Sequence, residues 1–208
     1  VKTDRLDAQK LSEYYAKGLL TVVQAPSVED ESVRDLIRAR GFLVDQAKSL
    51  RLYITSMCRR YDLDYRQSEG KKSASSYWTD EHRQWLRRKL QDLESPAAKR
   101  NFEYLMICLE QQESQISFYD EEIELLGSSP RYIKPVKSLC CFRGIKTLRA
   151  LTLVTEIGDI NRFSHPKQLV SYAGMDISEY SSGGRERKFG ISKLGNRHIR
   201  TALIESSQ

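Results

Sequence analysis

The chain has 208 residues, of which 39% are hydrophobic and 30% are charged, and its formal net charge is +6. This length suffices for one large or two small domains with a proper core, and the basic excess favours a polyanionic partner. Because the sequence has no run of about 18 apolar residues and no signal-peptide pattern, it predicts neither a membrane span nor secretion.

The cysteines indicate a reducing compartment. Cys58, Cys108, Cys140 and Cys141 lack zinc-ligand spacing, and the adjacent pair makes a poor disulfide. Buried free thiols in the cytoplasm are predicted instead. The chain starts at Val1 and ends inside a predicted helix, so we expect a fragment of a longer protein.

The N-terminal segment has the pattern of a helix over residues 3–17. Asp4 lies in the first turn, Leu6 and Leu11 recur on one side, and Gly18 ends the helix. A short β-branched run follows and ends before the next helix.

Two long helices with heptad spacing dominate the middle of the chain. Ser27 and Asp30 predict a cap for the first, and Ser95 followed by Pro96 opens the second. The apolar seams are Leu36, Leu43, Ala47, Leu50, Ile54, Met57 and Tyr61 in the first helix, and Phe102, Leu105, Leu109, Gln112, Ile116, Tyr119, Ile123 and Leu126 in the second. Residues 62–79 are predicted as a loop before a shorter helix. The seams predict either an antiparallel arm or an oligomerising coiled coil.

The C-terminal part begins with a linker predicted over 127–135. The turn at 142–145 before a helix ending at Gly158 is similar to a helix-hairpin-helix, in which turn amides hold a phosphate; a plain helical turn is the alternative. The candidate contacts of this turn are Arg143, Gly144 and Lys146. Two more helices are predicted, one from His165 to Gly174 and one over 193–205 with Ile199 and Leu203 facing inward.

A Ser-Gly block with a cationic run is the most informative segment. Ser181 and Ser182 precede two glycines, which let the backbone approach a bulky anion, and guanidinium groups fork onto phosphate oxygens. A hydroxyl beside such a cradle suits a nucleophile that attacks a phosphodiester. The candidate phosphate contacts are Gly183, Gly184, Arg185, Arg187, Lys188, Lys193, Asn196 and Arg197. The plainer alternative is a flexible basic loop that only touches phosphate.

Two carboxylates near the N-terminus form a candidate metal site. Asp4 and Asp7 are three residues apart and share a helical face. Such a pair can bind a hard divalent cation together with acids from neighbouring strands. The alternative is that both are ordinary surface charges at a helix end.

The ordered set of motifs resembles the IS-one-ten group of bacterial insertion-sequence transposases, which includes the Piv-type DNA invertases. The resemblance is carried by Thr-Asp-Arg-Leu-Asp-Ala at 3–8, Glu-Ile-Gly-Asp at 156–159, Gln-Leu-Val-Ser-Tyr-Ala-Gly at 168–174, Ser-Gly at 182–183 and Ile-Ser-Lys-Leu-Gly-Asn at 191–196. It spans nearly the whole chain.

The resemblance implies a mostly α fold with three parts. Residues 1–26 would end a RuvC-like α/β domain, residues 27–126 would form a coiled-coil arm with an insertion at 62–95, and residues 127–208 would form a helical transposase domain that carries the helix-hairpin-helix-like turn. Asp4 and Asp7 match the last two acids of the family's DEDD tetrad, the first two lying upstream of Val1.

The resemblance also implies the chemistry. Ser182, with Ser181 as the fallback, would attack DNA and form a phosphoserine, and Mg²⁺ would bind at Asp4 and Asp7. A structured guide RNA and a homo-oligomer are implied as further partners, in the bacterial cytoplasm. The competing interpretation is a non-catalytic helical protein that binds nucleic acid through the turn and the basic loop. The fragment by itself is expected to be inactive.

Overall fold

A computed structural model of the chain describes residues 4–20, 24–70, 77–182 and 185–207, and for residues 178–182 and 185–189 it describes the backbone alone. The architecture is mostly helical, as the sequence predicts. In chain order the elements are α1 (Asp4–Ala16), α2 (Val28–Arg60), α3 (Tyr65–Ser68), α4 (Asp80–Gln91), α5 (Pro96–Gly127), α6 (Ile133–Cys140), α7 (Thr147–Ile157), a 3-10 turn (Ile160–Arg162), α8 (Pro166–Tyr172), β1 (Ile177–Ser182), β2 (Arg185–Ile191) and α9 (Arg197–Ser206).

Polar side chains cap the helices at the predicted positions. Ser27 Oγ accepts a hydrogen bond from the backbone N–H of Asp30 at 3.1 Å and donates one to the Asp30 carboxylate at 2.8 Å. Ser95 and Thr79 cap α5 and α4 by accepting from the N–H three residues further on. These bonds satisfy donors that a helix leaves free at its start, so the three helices begin where the sequence predicts.

α2 and α5 pack against each other within the chain. Arg40 of α2 pairs with Asp120 of α5 at 2.5 Å, whereas Arg51, further along α2, pairs with Glu113, which comes earlier in α5, also at 2.5 Å. Because the partners run in opposite directions, the two helices are antiparallel. The buried seam residues are Ala47, Ile54, Met57, Phe102, Leu109 and Ile123. Supercoiling and contacts with a partner chain stay predictions.

The connection between α2 and α4 contains a helix that the sequence prediction lacks. α3 begins after Asp64, whose carboxylate accepts two backbone N–H bonds at 2.9 and 3.1 Å. Tyr65 is 1% exposed, and its ring centroid lies 4.8 Å from that of His82 and 5.1 Å from that of Trp85. The prediction of a loop over 62–79 is therefore wrong at α3, because a capping carboxylate and an aromatic anchor stabilise a helical turn.

The predicted linker is shorter than expected. α5 continues to Gly127 and α6 already begins at Ile133, so residues 128–132 form the connection. Pro135, predicted to end the linker, lies in the first turn of α6, where its missing N–H costs little because that donor has no partner within the helix.

The last helix also differs from its prediction. α9 begins at Arg197 rather than at Lys193, because Asn196 caps it with its side-chain oxygen. Ile199 is buried as predicted, at 1% exposure, but Leu203 is 36% exposed and Ala202 takes the inward position. α9 packs on α7 and on the end of α8 through this small apolar face.

The cysteines are free thiols, as predicted, but only one of the four is buried. Cys58 is buried, whereas Cys108, Cys140 and Cys141 are exposed, so the prediction of burial is wrong for these three. Burial raises the pKa of the Cys58 thiol to about 11. Cys58 therefore stays protonated at neutral pH and packs as a small apolar side chain.

The described helices lack the combination of length and apolar character that crossing a lipid bilayer requires. The longest, α2 and α5, carry charged side chains throughout, and several of these pair across the helix interface.

Candidate active site

The two candidate nucleophiles stand at the end of a β-strand. Ser181 and Ser182 are the last residues of β1, which runs antiparallel to β2. Ser182 is in register with Arg185, and Ser181 with Glu186. Residues 183–184, the predicted glycine cradle, lie outside the described residues. A hairpin therefore carries the serine pair, and both serines lie in a strand rather than in a loop.

Three of the predicted phosphate contacts belong to the second strand of this hairpin. Arg185, Arg187 and Lys188 all lie in β2. Arg187 is in register with Tyr180. The backbone pairing thus brings the serines and three cationic residues into one two-stranded unit.

Hydrogen bonds fix the base of the hairpin. Ser192 Oγ donates to Asp176 Oδ1 at 2.6 Å, and the Ser192 N–H donates to the Asp176 carbonyl at 2.8 Å. The Lys193 N–H donates to the carbonyl of Gly174 at 3.0 Å. Lys193 itself adopts φ 58°, a left-handed conformation that turns the chain out of β2, and its side chain is exposed.

Two glycines allow this base to approach the end of α8. A Cβ atom on Gly195 would lie 2.2 Å from the carbonyl oxygen of Tyr172, and one on Gly174 would lie 2.4 Å from the backbone nitrogen of Gly195. The backbone N–H of Asn196 donates to the same Tyr172 carbonyl at 2.7 Å. A side chain at either glycine would therefore displace the base of the hairpin.

A buried carboxylate lies next to the start of α9. Glu156, at the end of α7, is 3% exposed, and its Oε2 accepts a hydrogen bond from Asn196 Nδ2 at 2.8 Å. Its Oε1 accepts one from Arg38 Nη2 at 2.8 Å. Burial lowers the pKa of the neighbouring His198, Glu156 opposes this shift and Arg38 adds to it. The Glu156 carboxylate thus connects the end of α7 with Arg38 of α2 and with Asn196 at the start of α9.

A second arginine of α2 also contacts the C-terminal end of α7. Arg34 donates two hydrogen bonds to the backbone carbonyl of Thr155, with Nε at 3.0 Å and Nη2 at 2.5 Å. Its Nε also lies 3.8 Å from Glu156 Oε2. The arginines of α2 therefore bind the C-terminal end of α7, where the helix leaves carbonyl groups without partners.

The sequence did not predict these contacts of Glu156, Arg34 and Arg38. Glu156 entered the sequence interpretation only as part of a motif, and Arg34 and Arg38 had no role. The one local signal for a role of Glu156 is that an acidic residue stands at the end of a largely apolar helix. The contacts of Arg34 with residue 155 join positions 121 residues apart, which no local pattern predicts.

The predicted phosphate-binding turn lies at the other end of α9. Gly144 has φ 86°, and a Cβ atom there would lie 2.0 Å from the carbonyl oxygen of Ser206. Arg143 and Lys146 are exposed beside it. Because α9 has ten residues and rises 1.5 Å per residue, the turn and the base of the hairpin are about 15 Å apart along the helix. The two predicted phosphate sites are therefore separate places on this fold.

Two further predicted contacts border the start of α9. Arg197, the first residue of α9, is exposed. The side chain of Asn196 is engaged on both sides, since Oδ1 caps the helix while Nδ2 bonds Glu156. Asn196 thus positions the base of the hairpin in this structure, and any contact with phosphate stays a prediction.

The predicted metal ligands lie far along the chain from the hairpin. Asp4 and Asp7 both belong to the first turns of α1, Asp4 exposed and Asp7 half-buried. In the part of the chain that the structure describes, no group of three or more histidine, cysteine, aspartate or glutamate side chains is placed to hold a metal ion. The pair therefore offers two carboxylates, and a role for them as metal ligands stays a prediction.

Comparison with known proteins gives this segment a family. Residues 137–208, which contain the hairpin and α9, match the transposase family designated IS116/IS110/IS902. The match includes every element that fixes the hairpin except the arginines of α2.

Whole-chain relatives agree with this match. Protein y4qE of Sinorhizobium fredii, whose name describes it as a transposase, is 32% identical over 205 residues, 99% of this chain and 47% of its own length. The transposase for insertion sequence element IS1111A of Coxiella burnetii is 30% identical over 207 residues, 100% of this chain and 54% of its own. The transposase for insertion sequence element IS1533 of Leptospira borgpetersenii is 29% identical over 171 residues, 79% of this chain and 47% of its own. The chain spans about half the length of these relatives.

Proposed function

Because the chain belongs to the IS116/IS110/IS902 family of transposases, we propose that it supplies the serine site of an insertion-sequence DNA transposase. The observation that supports this most is the hairpin. It carries Ser181 and Ser182 at the end of β1 beside a cationic strand, and its base is held by Glu156 and Asn196. A basic loop that only contacts phosphate would not require a base fixed in this way.

The proposed reaction cuts and rejoins DNA through a phosphoserine. Ser182 Oγ forms a bond to the phosphorus of a phosphodiester, and the bond from phosphorus to the leaving deoxyribose oxygen breaks. The serine gives up its proton and the leaving oxygen takes one up, so the energy of the ester bond is kept in the phosphoserine. A hydroxyl of another DNA end reverses the step. Arg185, Arg187 and Lys188 offset the charge that develops on the phosphate oxygens.

Asp4 and Asp7 are the proposed ligands of a divalent cation. Carboxylates on adjacent turns of one helix are hard oxygen donors, which suit Mg²⁺, and an ion bound by two carboxylates keeps sites for phosphate oxygens. When bound, Mg²⁺ would supply charge stabilisation at the attacking and leaving oxygens. The residues that hold it would belong to a RuvC-like domain ending near residue 26.

The remaining parts of the proposal concern partners and organisation. The antiparallel pair α2 and α5 would act as a coiled-coil arm within residues 27–126, and residues 127–208 would act as the transposase domain. A structured guide RNA would bind through shape and backbone charge, and the turn at 142–145 would bind phosphate in the manner of a helix-hairpin-helix. Two site halves from different protomers would make the active species a homo-oligomer.

The covalent intermediate tests the proposal. A version of the protein extended to the length of its relatives is incubated with its guide RNA, Mg²⁺ and end-labelled element DNA, and the products are separated on a denaturing gel. We expect a labelled band at the mass of a protein–DNA adduct, absent in Asp7→Asn although that variant still binds DNA. DNA binding without any adduct in the unaltered protein would instead support the non-catalytic interpretation.

A further inference from the structure

A cleft separate from the serine hairpin opens between the start of α2 and the segment that follows α7. Its volume is about 570 Å³, within the range of sites that hold a nucleotide-sized group. One wall is formed by residues 24–27 with Asp30 and Arg34, and the other by residues 157–159 with Arg162. This cleft is not part of the proposed reaction.

Arg162 is the unusual residue of this cleft. Its guanidinium carbon lies 4.4 Å from the ring centroid of Phe163 and 4.4 Å from that of Tyr172. Both aromatic rings therefore lie at cation–π distance from the guanidinium group. The Arg162 Nε atom is buried and has no hydrogen-bond partner among the described residues.

The other charged residues of the cleft already have polar partners. Arg34 donates to the Thr155 carbonyl, and Arg131 pairs with Asp30 at 3.0 Å. Asp159 accepts hydrogen bonds from the N–H and the side-chain amide of Asn161 at 2.9 and 3.0 Å. Among the charged residues that line this cleft in the described part of the chain, the side chain of Arg162 alone has neither a hydrogen bond nor an ion pair.

The backbone leaves room beside this side chain. Gly158 has φ 65°, and a Cβ atom built on it would have no heavy atom within 4 Å. The cleft is therefore open at the residue that turns the chain from α7 towards Arg162. A planar guanidinium fork that packs against aromatic rings is suited to a bidentate oxyanion such as phosphate.

We propose that this cleft binds a phosphodiester of a nucleic acid backbone, with Arg162 as its main contact. The inference rests on the proposed function, which makes nucleic acid the source of that phosphate. DNA and RNA backbones share this chemistry, so the site belongs to whichever strand runs past α2 and α7. It would hold the nucleic acid next to the contact between Arg34 of α2 and the C-terminal end of α7.

Binding measurements with the whole 208-residue chain test this. The probes are a fluorescein-labelled 30-base-pair DNA duplex and a labelled RNA hairpin, and fluorescence anisotropy is recorded between 50 and 200 mM NaCl. For one of the probes we expect Arg162→Gln to weaken binding about tenfold. The slope of the logarithm of the binding constant against the logarithm of the salt concentration should fall in magnitude by about one. Arg162→Lys keeps the positive charge but lacks the two-pronged guanidinium group. We expect this variant to keep the salt dependence of binding and to bind more weakly. The probe that responds identifies the strand.

Matched variants separate binding from folding. Arg100 is exposed on α5, so Arg100→Gln removes the same charge outside the cleft. Ala25 is exposed and lines the cleft, so Ala25→Glu adds a carboxylate to the cleft and leaves Arg162 itself unaltered. Ala97→Glu, at an exposed position on α5, is its control. We expect Ala25→Glu to weaken binding and both controls to bind like the unaltered chain.

Unchanged affinity and slope in both Arg162→Gln and Ala25→Glu, with normal binding by the unaltered chain, would overturn the site and leave the proposed function standing. Failure of the unaltered chain to bind either probe would also contradict the site, whereas the proposed function is tested separately by the covalent adduct of the extended protein. A lower melting temperature of Arg162→Gln with binding equal to that of Arg100→Gln would assign Arg162 a structural role only.

Discussion

Asn196 joins Glu156 to the start of α9 through the two ends of one side chain. Its Nδ2 donates to Glu156 Oε2 at 2.8 Å, while its Oδ1 accepts from the backbone N–H groups of His198 and Ile199 at 2.9 and 3.2 Å. The residue that caps α9 therefore also connects it to the end of α7. Since β2 ends at Ile191, five residues before Asn196, this contact also helps to position the hairpin that carries the serines.

The Asn196 contact can be separated from its capping role. Aspartate caps a helix as well as asparagine does, so Asn196→Asp keeps the cap and places a second carboxylate against Glu156. We expect the free energy of unfolding at pH 7 to fall by about 2 kcal/mol, measured by urea denaturation. Glu156→Gln in the same chain provides an amide donor again and should restore part of this loss. Equal stability of Asn196→Asp and the unaltered chain would show that the contact does not stabilise the fold.

The seam between α2 and α5 is tested by one buried and one exposed leucine. Leu109 is fully buried, whereas Leu125 on the same helix is 66% exposed. Leu109→Asp should lower the free energy of unfolding by several kcal/mol, about 3 or more, because it buries an unpaired charge. Leu125→Asp should change it by less than about 0.5 kcal/mol. Thermal melts and sedimentation of both variants check this, and a Leu109→Asp protein as stable as Leu125→Asp would contradict the packing.

Glu113 predicts how stability depends on pH. Although burial alone would raise it, hydrogen bonds from Arg83 and Arg51 hold the pKa of Glu113 below its ordinary value of 4.5. A carboxyl group with a lowered pKa in the folded state stabilises the fold above its unfolded pKa, and this contribution is lost as the pH falls further. We expect stability to decrease below about pH 4.5, with about 1 kcal/mol or less from this group because it is partly exposed.

Urea titrations at pH 7.0, 4.5 and 3.5 measure that contribution. Glu113→Gln should be less stable than the unaltered chain at pH 7.0 and should approach it at pH 3.5. The exposed Glu121 provides the control, since Glu121→Gln removes a carboxylate from the same helix at a position with no ion pair in the described residues. A difference between Glu113→Gln and the unaltered chain that is the same at all three pH values would contradict the assignment.

The sequence predicted the features that local chemistry determines. Ser27 and Ser95 cap their helices because a hydroxyl three residues before a free N–H is a local arrangement, and heptad spacing places Leu109 inward for the same reason. The long-range contacts of Arg34 and Arg38 with α7 have no such signal. The hairpin was missed because its serine, glycine and charged residues also suit a loop, and strand pairing rather than composition decides between the two.

Placement of the adduct tests the phosphoserine assignment most directly. In the extended protein with guide RNA, Mg²⁺ and labelled element DNA, Ser182→Ala should abolish the covalent protein–DNA band on a denaturing gel, whereas Ser181→Ala should retain it. Both variants should keep the affinity of the unaltered protein for DNA. An adduct that survives in Ser182→Ala and disappears in Ser181→Ala would move the role to Ser181, and an adduct that survives in both would contradict the serine mechanism at this hairpin.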